Sequence, residues 1–265
     1  MVRDYFKMKS TLPIVGVIPA AGTASRLQPL PFSKELYPIG FEKTNGSISH
    51  TKVAAAYLVE QMAAAGAEQL YFILRKGKWD IPSYFGDGSQ FDLSIAYLIM
   101  GLPHGSPFST DQAYSFVKDK LVLFGFPDIL LAVPGAFEKL VQKQEETGAA
   151  IVLGIFETDN PEKWDVVVLQ TDESINSIHP KPHISSSKHA WAFACWSPEF
   201  TIFMHDYLQQ ALERPESITS ELSIGHVLQA ALKSGLKVSS VLFERNCCLD
   251  VGTPEDLQKA ILKYT

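Results

Sequence analysis

The sequence predicts an α/β fold built on a doubly wound, mostly parallel sheet, and three observations lead there. Ile14-Val15-Gly16-Val17-Ile18 is a continuous apolar run, which suits a strand covered by helices on both faces, whereas a strand with one wet face would alternate. Segments of strand and helix character then follow one another along the first half of the chain in βαβ order. Finally, Thr253-Pro254-Glu255-Asp256 sets an N-cap, a proline at the first helical position and an acid at the capping-box position ahead of Leu257, Ala260, Ile261 and Tyr264, the opening of a closing helix.

Between these ends, residues 51–65 carry Ala54, Tyr57, Leu58, Gln61, Met62 and Ala65 at helical spacing and meet Gly66 where a C-terminal cap belongs. Strands are expected at 69–74, 93–98 and 121–124, a helix near 135–147, and another apolar run at 150–156. Beyond Glu157 the texture changes: 166–169, 175–178 and 190–195 read as short strands separated by polar, proline-bearing turns, a small β-rich insertion. Two helices, about 199–212 and 221–233, precede a strand at 237–243. With no internal repeat and no long linker, one domain over 1–265 is expected. Ligands of such sheets bind outside the carboxyl ends of the strands, so the chemistry is expected just after strands.

Composition narrows the function classes. The 265 residues include 23 basic and 29 acidic side chains, a formal charge of -6 without a long block of either sign, so a nucleic-acid partner is not expected. The apolar stretch from Leu121 to Phe137 is interrupted by Pro127, Asp128 and Pro134 and falls short of the roughly 20 residues that span a bilayer; no membrane partner is expected. Cys195, Cys247 and Cys248 cannot form a disulfide framework, and the amino-terminal segment lacks a signal peptide's apolar core, which points to a reducing, cytoplasmic setting. His179, His183 and His189 are close in sequence, but Pro180 and Pro182 exclude a helical zinc site for the first two.

The first strand runs into Pro19-Ala20-Ala21-Gly22-Thr23-Ala24-Ser25-Arg26-Leu27-Gln28-Pro29, followed by Ser33-Lys34-Glu35-Leu36-Tyr37-Pro38. Small side chains let a backbone approach a ligand closely, successive N–H groups form an anion nest, and Arg26 and Lys34 add cations, so a polyphosphate would fit. Neither a Walker A loop nor a G-x-G-x-x-G fingerprint is present. On residue chemistry alone, a small-residue turn with incidental cations stands beside the phosphate reading.

This segment resembles the signature of the sugar-phosphate nucleotidylyltransferases, G-x-G-[TS]-R-[LM]-x-P followed by [PS]-K-x-x-x-P. It departs at Ala24, where a second glycine is usual, and the interval from Pro29 to Lys34 is about two residues shorter. Further landmarks follow in order across nearly the whole chain. IPSYFGDGSQFD from Ile81 to Asp92 is similar to Y-x-x-G-D-G-S-x-x-G-V; Leu121 to Asp128 to an acidic strand end, L-G-D; His179-Pro180-Lys181-Pro182 to E-x-K-P, with Pro180 at a commonly acidic position; and Leu249-Asp250-Val251-Gly252-Thr253-Pro254 to W-x-D-x-G-T-P. The resemblance implies a Rossmann-like, GT-A-type sheet with a nucleotide-binding part at about 1–156, a sugar-binding part at about 157–245 and a closing metal motif and helix at 246–265.

The activity implied is transfer of a nucleotidyl group from a nucleoside triphosphate to a sugar 1-phosphate. Asp128 and Asp250 each follow an apolar run and are expected to hold Mg²⁺; the alternative is that either caps a helix. By resemblance, Arg26 holds the leaving pyrophosphate, Lys34 contacts the nucleotide phosphates and Lys181 holds the sugar phosphate; each of these cations could instead be solvated. Ala20, Ala21, Gly22, Thr23, Ala24 and Ser25 would cradle the nucleotide, Met100 and Gly105 lie toward the base, and Trp191 offers an aromatic face to the sugar. The resemblance favours dTTP or UTP and leaves CTP open, and a homo-oligomer is compatible with the sequence. Two other readings stand: a non-catalytic nucleotide or nucleotide-sugar binding relative, and a cytidylyltransferase for an alcohol phosphate. A glycosyltransferase is disfavoured because no D-x-D motif is present.

Overall fold

The computed structural model describes residues 12–44, 47–101, 104–131, 133–182, 187–213 and 221–264. In chain order the strands and helices are β1 (Ile14–Pro19), β2 (Pro38–Thr44), β3 (Ser47–Val53), α1 (Ala54–Ala64), β4 (Gln69–Arg75), α2 (Asp80–Phe85), β5 (Ser94–Met100), α3 (Ser106–Asp111), α4 (Tyr114–Val117), β6 (Leu121–Gly125), β7 (Ile129–Leu131) and α5 (Ala136–Thr147). They continue with β8 (Ile151–Glu157), β9 (Asp165–Leu169), β10 (Ile175–His179), β11 (His189–Trp196), α6 (Pro198–Glu213), α7 (Ile224–Lys233), β12 (Val238–Phe243), β13 (Cys248–Asp250) and α8 (Pro254–Tyr264). His183 lies outside the described residues.

The main sheet runs β5-β4-β1-β6-β11-β8-β12, with β9 and β10 added beside β11. Strands β5, β4, β1 and β6 are mutually parallel, β12 is parallel to β8, and β11 runs against both β6 and β8. Alternation within each apolar run feeds two cores. Ile18, Leu70, Phe72, Leu121 and Leu123 meet Leu58 and Met62 of α1 and Phe137 and Leu140 of α5 on one face. Val15, Val17, Ile73, Val122 and Phe124 meet Phe200 and Met204 of α6 and Val227 and Leu228 of α7 on the other. Burial on both faces is why these strands read as unbroken apolar runs, and the doubly wound, mostly parallel sheet follows from it.

Three expectations change. Residues 51–53 belong to β3, which pairs antiparallel with β2, so the helix begins at Ala54; the β-branched Thr51 and Val53 favour the strand. Segment 190–195 is not peripheral: as part of β11 it fills the centre of the sheet, antiparallel among parallel neighbours. The second helix of the later pair starts at Ile224, because Ser223 and His226 form a reciprocal capping box.

A third, smaller apolar cluster joins the periphery to the sheet. Leu27, Ile39, Ala54, Leu130, Val251 and Leu257 pack together, tying the loop after β1 to β2, to the short ribbon β7–β13 and to α8.

Candidate active site

The loop after β1 leaves the sheet beside β4, where the Ala20 N–H donates to the Ile73 carbonyl at 2.8 Å. Ala20 and Ala21 are buried, Gly22 and Thr23 are exposed, and the chain then passes through a short 3-10 turn, Ser25–Leu27, anchored by the buried Leu27. A Cβ added at Gly22 would meet nothing within 4 Å, so the backbone here faces open space. Ala24 takes the left-handed conformation, φ 53° and ψ 34°, which costs an L-residue about 1–2 kcal/mol. This is the position where the signature carries glycine. Arg26 is exposed on the 3-10 turn, and Lys34 opens a second such turn, Lys34–Leu36.

Asp128 and Asp250, far apart in sequence, arrive at adjacent rungs of one ribbon. Strand β13 pairs antiparallel with β7 so that Asp250 faces Ile129, and the Val251 N–H donates to the Asp128 carbonyl at 3.0 Å. Lys34 Nζ is ion-paired with Asp128 Oδ2. Burial alone would raise the Asp128 carboxyl, but the Lys34 ammonium overcomes it and holds this group below its ordinary range. Asp250 is pushed up to about 6, first by burial and then by the neighbouring Asp128 charge, against the pull of Lys34 and Lys181. Its Oδ1 accepts the Gly252 N–H at 2.7 Å.

The pair therefore holds more negative charge than Lys34 neutralises, and a divalent cation would supply the balance. No group of three or more acidic, histidine or cysteine side chains placed to hold a metal occurs among the described residues. Two carboxylates suit Mg²⁺, which binds few protein ligands and keeps phosphate and water oxygens for its remaining positions.

Lys181 approaches from the β9–β10 side. It sits just past β10 at φ 34°, and its N–H donates to Asp165 Oδ1 at 3.2 Å. Asp165, raised by burial against the Lys181 charge, also accepts the Ser223 hydroxyl at 3.4 Å. Because Lys181 pulls on Asp250, the four charges Lys34, Asp128, Asp250 and Lys181 form one electrostatic group.

Beside the loop lies a cavity of about 330 Å³, lined by Thr23, Ala24, Lys34, Arg75, Lys78 and Asp80 among others. Lys78 makes a buried ion pair with Glu35 at 2.6 Å. Burial raises the Glu35 carboxyl and lowers the Lys78 ammonium, each against the pull of its partner. This pair fastens the Lys34 turn to the loop after β4. Arg75, Lys78 and Glu35 were absent from the sequence-derived site. The signal available was Arg75-Lys76-Gly77-Lys78, a glycine-bearing basic run directly after a strand, comparable to the loop after β1.

Met100 ends β5 opposite Arg75 and is half-buried. Gly105 is buried, with φ 129°, and an added Cβ would lie 1.9 Å from the Leu222 carbonyl oxygen; this close backbone contact by itself requires a glycine. Trp191 is 2% exposed and packs on Phe124 and Phe126. It supports the rim from within the core instead of offering an open face to a sugar.

The profile of the nucleotidyl transferase family matches residues 15–265. Among similar proteins, the low-salt glycan biosynthesis nucleotidyltransferase Agl11 of Haloferax volcanii is 27% identical over 92% of this chain, and the aligned region spans 64% of that relative's length. The glucose-1-phosphate thymidylyltransferase of an Actinoplanes species is 26% identical over 93% of this chain and 76% of its own. A Bacillus anthracis structure assigned as a glucose-1-phosphate thymidylyltransferase, solved with sucrose, superposes with a TM-score of 0.80 at 21% identity, covering 95% of each chain. A UDP-glucose pyrophosphorylase bound to UDP-glucose does so at 0.77 and 16% identity, covering 96% of this chain and 98% of that one. With the ordered motifs and the sheet they sit on, the match over residues 15–265 shows that the chain belongs to the nucleotidyl transferase family.

Proposed function

We propose that the protein transfers a nucleotidyl group from dTTP or UTP to a sugar 1-phosphate, releasing pyrophosphate, in a magnesium-dependent reaction. The observation that carries this reading is the meeting of Lys34, Asp128 and Asp250 at one rim of the sheet after the small-residue loop, with the Lys181 charge acting on Asp250. A sugar-phosphate oxygen would form a new bond to the α-phosphorus while the bond from that phosphorus to the bridging oxygen breaks, the electron pair leaving with pyrophosphate. The second ionisation of a phosphate monoester lies near pH 6, so the nucleophile is already charged at neutral pH and no side-chain base is needed.

What the reaction requires is in-line positioning of two anions that repel, together with neutralisation of the transferred and departing charge. The Ala20–Ser25 backbone would cradle the triphosphate, Lys34 would contact its phosphates, Arg26 would reach the departing group and Lys181 would hold the sugar phosphate. Magnesium bound by Asp128 and Asp250 would polarise phosphoryl oxygens and stabilise the developing charge. The relatives named for glucose 1-phosphate and for UDP-glucose support a hexose 1-phosphate and a thymine or uracil base.

Pyrophosphate release from four triphosphates crossed with several sugar 1-phosphates tests the proposal. Release with dTTP or UTP and a hexose 1-phosphate is expected. Tight nucleotide-sugar binding without release from any pair would favour a non-catalytic binder.

A further inference from the structure

Lys181 holds a backbone shape that its own sequence opposes. It stands before Pro182, and a proline ordinarily keeps the preceding residue extended, yet its φ is 34°. A residue other than glycine stays in such a conformation only where its surroundings over-determine it. Asp165 supplies a restraint: the Lys181 N–H donates to its Oδ1 at 3.2 Å, and its Oδ2 accepts the Ser223 hydroxyl at 3.4 Å.

Asp165 is itself fixed from several sides. It opens β9 opposite Trp191 of β11. The amino end of α7 closes on its carboxylate, where Ser223 caps the helix in a reciprocal box with His226 and the Gly225 N–H favours the charged form. A Cβ added at Gly225 would lie 2.2 Å from Asp165 Oδ2, so the absence of a side chain there makes room for the carboxylate. Leu222, just before the cap, ties the helix to the loop after β5, its N–H donating to the His104 carbonyl at 3.3 Å. The Lys181 side chain is exposed, and its charge acts on both Asp165 and Asp250. A lysine stem is flexible, so its ammonium is aimed only as well as its backbone is held. We propose that Asp165 is a positioning residue for Lys181: bound to the amino end of α7, it holds the turn after β10 so that the lysine meets the sugar 1-phosphate. The proposal rests on the nucleotidyl-transfer reading for the identity of that anion.

The test compares the full chain with D165A, D165N, K181A and the double variant D165A/K181A. Pyrophosphate release from dTTP and glucose 1-phosphate gives kcat and both KM values, and glucose 1-phosphate is also titrated calorimetrically, with magnesium chloride present throughout. D165A should raise the KM for glucose 1-phosphate about fivefold to tenfold, with kcat and the KM for dTTP changed less than about twofold. D165N should lose less, about twofold to threefold, since its amide oxygen still accepts the Lys181 N–H. In the K181A background D165A should add less than about twofold, because a residue that acts through Lys181 has nothing left to position. An unchanged KM for glucose 1-phosphate in D165A, equal rises for both substrates, or the same rise with and without Lys181 overturns the proposal. Tighter glucose 1-phosphate binding in D165N, the result for a mere counter-charge, also overturns it. If circular dichroism shows D165A unfolded, D165N and D165N/K181A decide by the same criteria. If the unsubstituted chain turns over and the Asp165 variants keep its KM values, the positioning is wrong and the reaction stands. If no substrate pair turns over but the calorimetric affinity for glucose 1-phosphate falls in D165A only when Lys181 is present, the positioning stands and the reaction is wrong. An unsubstituted chain that neither turns over nor binds glucose 1-phosphate overturns both.

Discussion

Gly22 and Ala24, two positions apart in one loop, answer to opposite demands. Gly22 has open space where a Cβ would go, so Gly22→Ala should change stability by no more than about 0.5 kcal/mol. If this backbone cradles the triphosphate as proposed, the added methyl would nevertheless stand in the way, and the KM for triphosphate should rise about tenfold, or 1.4 kcal/mol. Ala24 is held at φ 53°; Ala24→Gly relieves that strain, offset in part by chain entropy, and should raise the unfolding free energy by about 0.5–1 kcal/mol in urea titrations. A stability gain from Gly22→Ala, or a loss from Ala24→Gly, would contradict this account of the loop. Lys181, proposed to hold the sugar phosphate, acts electrostatically on Asp250. Lys181→Ala should therefore raise the KM for sugar 1-phosphate at least about tenfold while leaving triphosphate binding nearly unchanged, and equal effects on the two substrates would remove its assignment.

At the scale of elements, the short ribbon β7–β13 positions the two carboxylates of the proposed magnesium site. Three rungs pair Cys248 with Leu131, Leu249 with Leu130 and Asp250 with Ile129. A ribbon this short has little stability alone; Leu130, fully buried against Leu27, Ile39 and Leu257, fixes it to the loop, to β2 and to α8. Leu130→Ala should cost about 2–5 kcal/mol of stability. It should also raise the magnesium concentration needed for half-maximal pyrophosphate release, because the register that brings Asp250 beside Asp128 is loosened. Lost stability with an unchanged magnesium requirement would mean that the ribbon does not set the carboxylate spacing. The buried Glu35–Lys78 pair serves a comparable purpose on the other side, fastening the Lys34 turn to the loop after β4. Removing either partner alone would leave an uncompensated buried charge.

Across the whole molecule, strand ends, loops and the closing helix gather around one rim that carries two adjacent carboxylates with cations on either flank. Chelation of magnesium should abolish pyrophosphate release, re-addition should restore it, and far-UV circular dichroism should stay unchanged throughout, since both cores are built without the carboxylate pair. Turnover that survives chelation would overturn the assignment of Asp128 and Asp250. Much of this was legible in the chain. The apolar runs of β1, β4 and β6, the capped α8 and the motifs around Gly22, Asp128, Lys181 and Asp250 depend on neighbours within a few residues, and period, capping and turn chemistry act at that range. Less could be read of β11, an apolar run whose antiparallel place between β6 and β8 depends on partners far along the chain. The same holds for Trp191 and Gly105, whose types suit a ligand site equally well but which packing places in the core and against Leu222. It holds also for Arg75, a cation whose buried, unpartnered Nε appears only once β4 lies beside the loop after β1. Local pattern was enough for most strands of the main sheet, the longer helices, the family and the residues that bear charge, but not for the short ribbons β2–β3 and β7–β13. Which of those charges meet, and which side chains are sealed away from solvent, was left to long-range packing, because burial and Coulomb energy depend on distances in space that sequence separation does not encode.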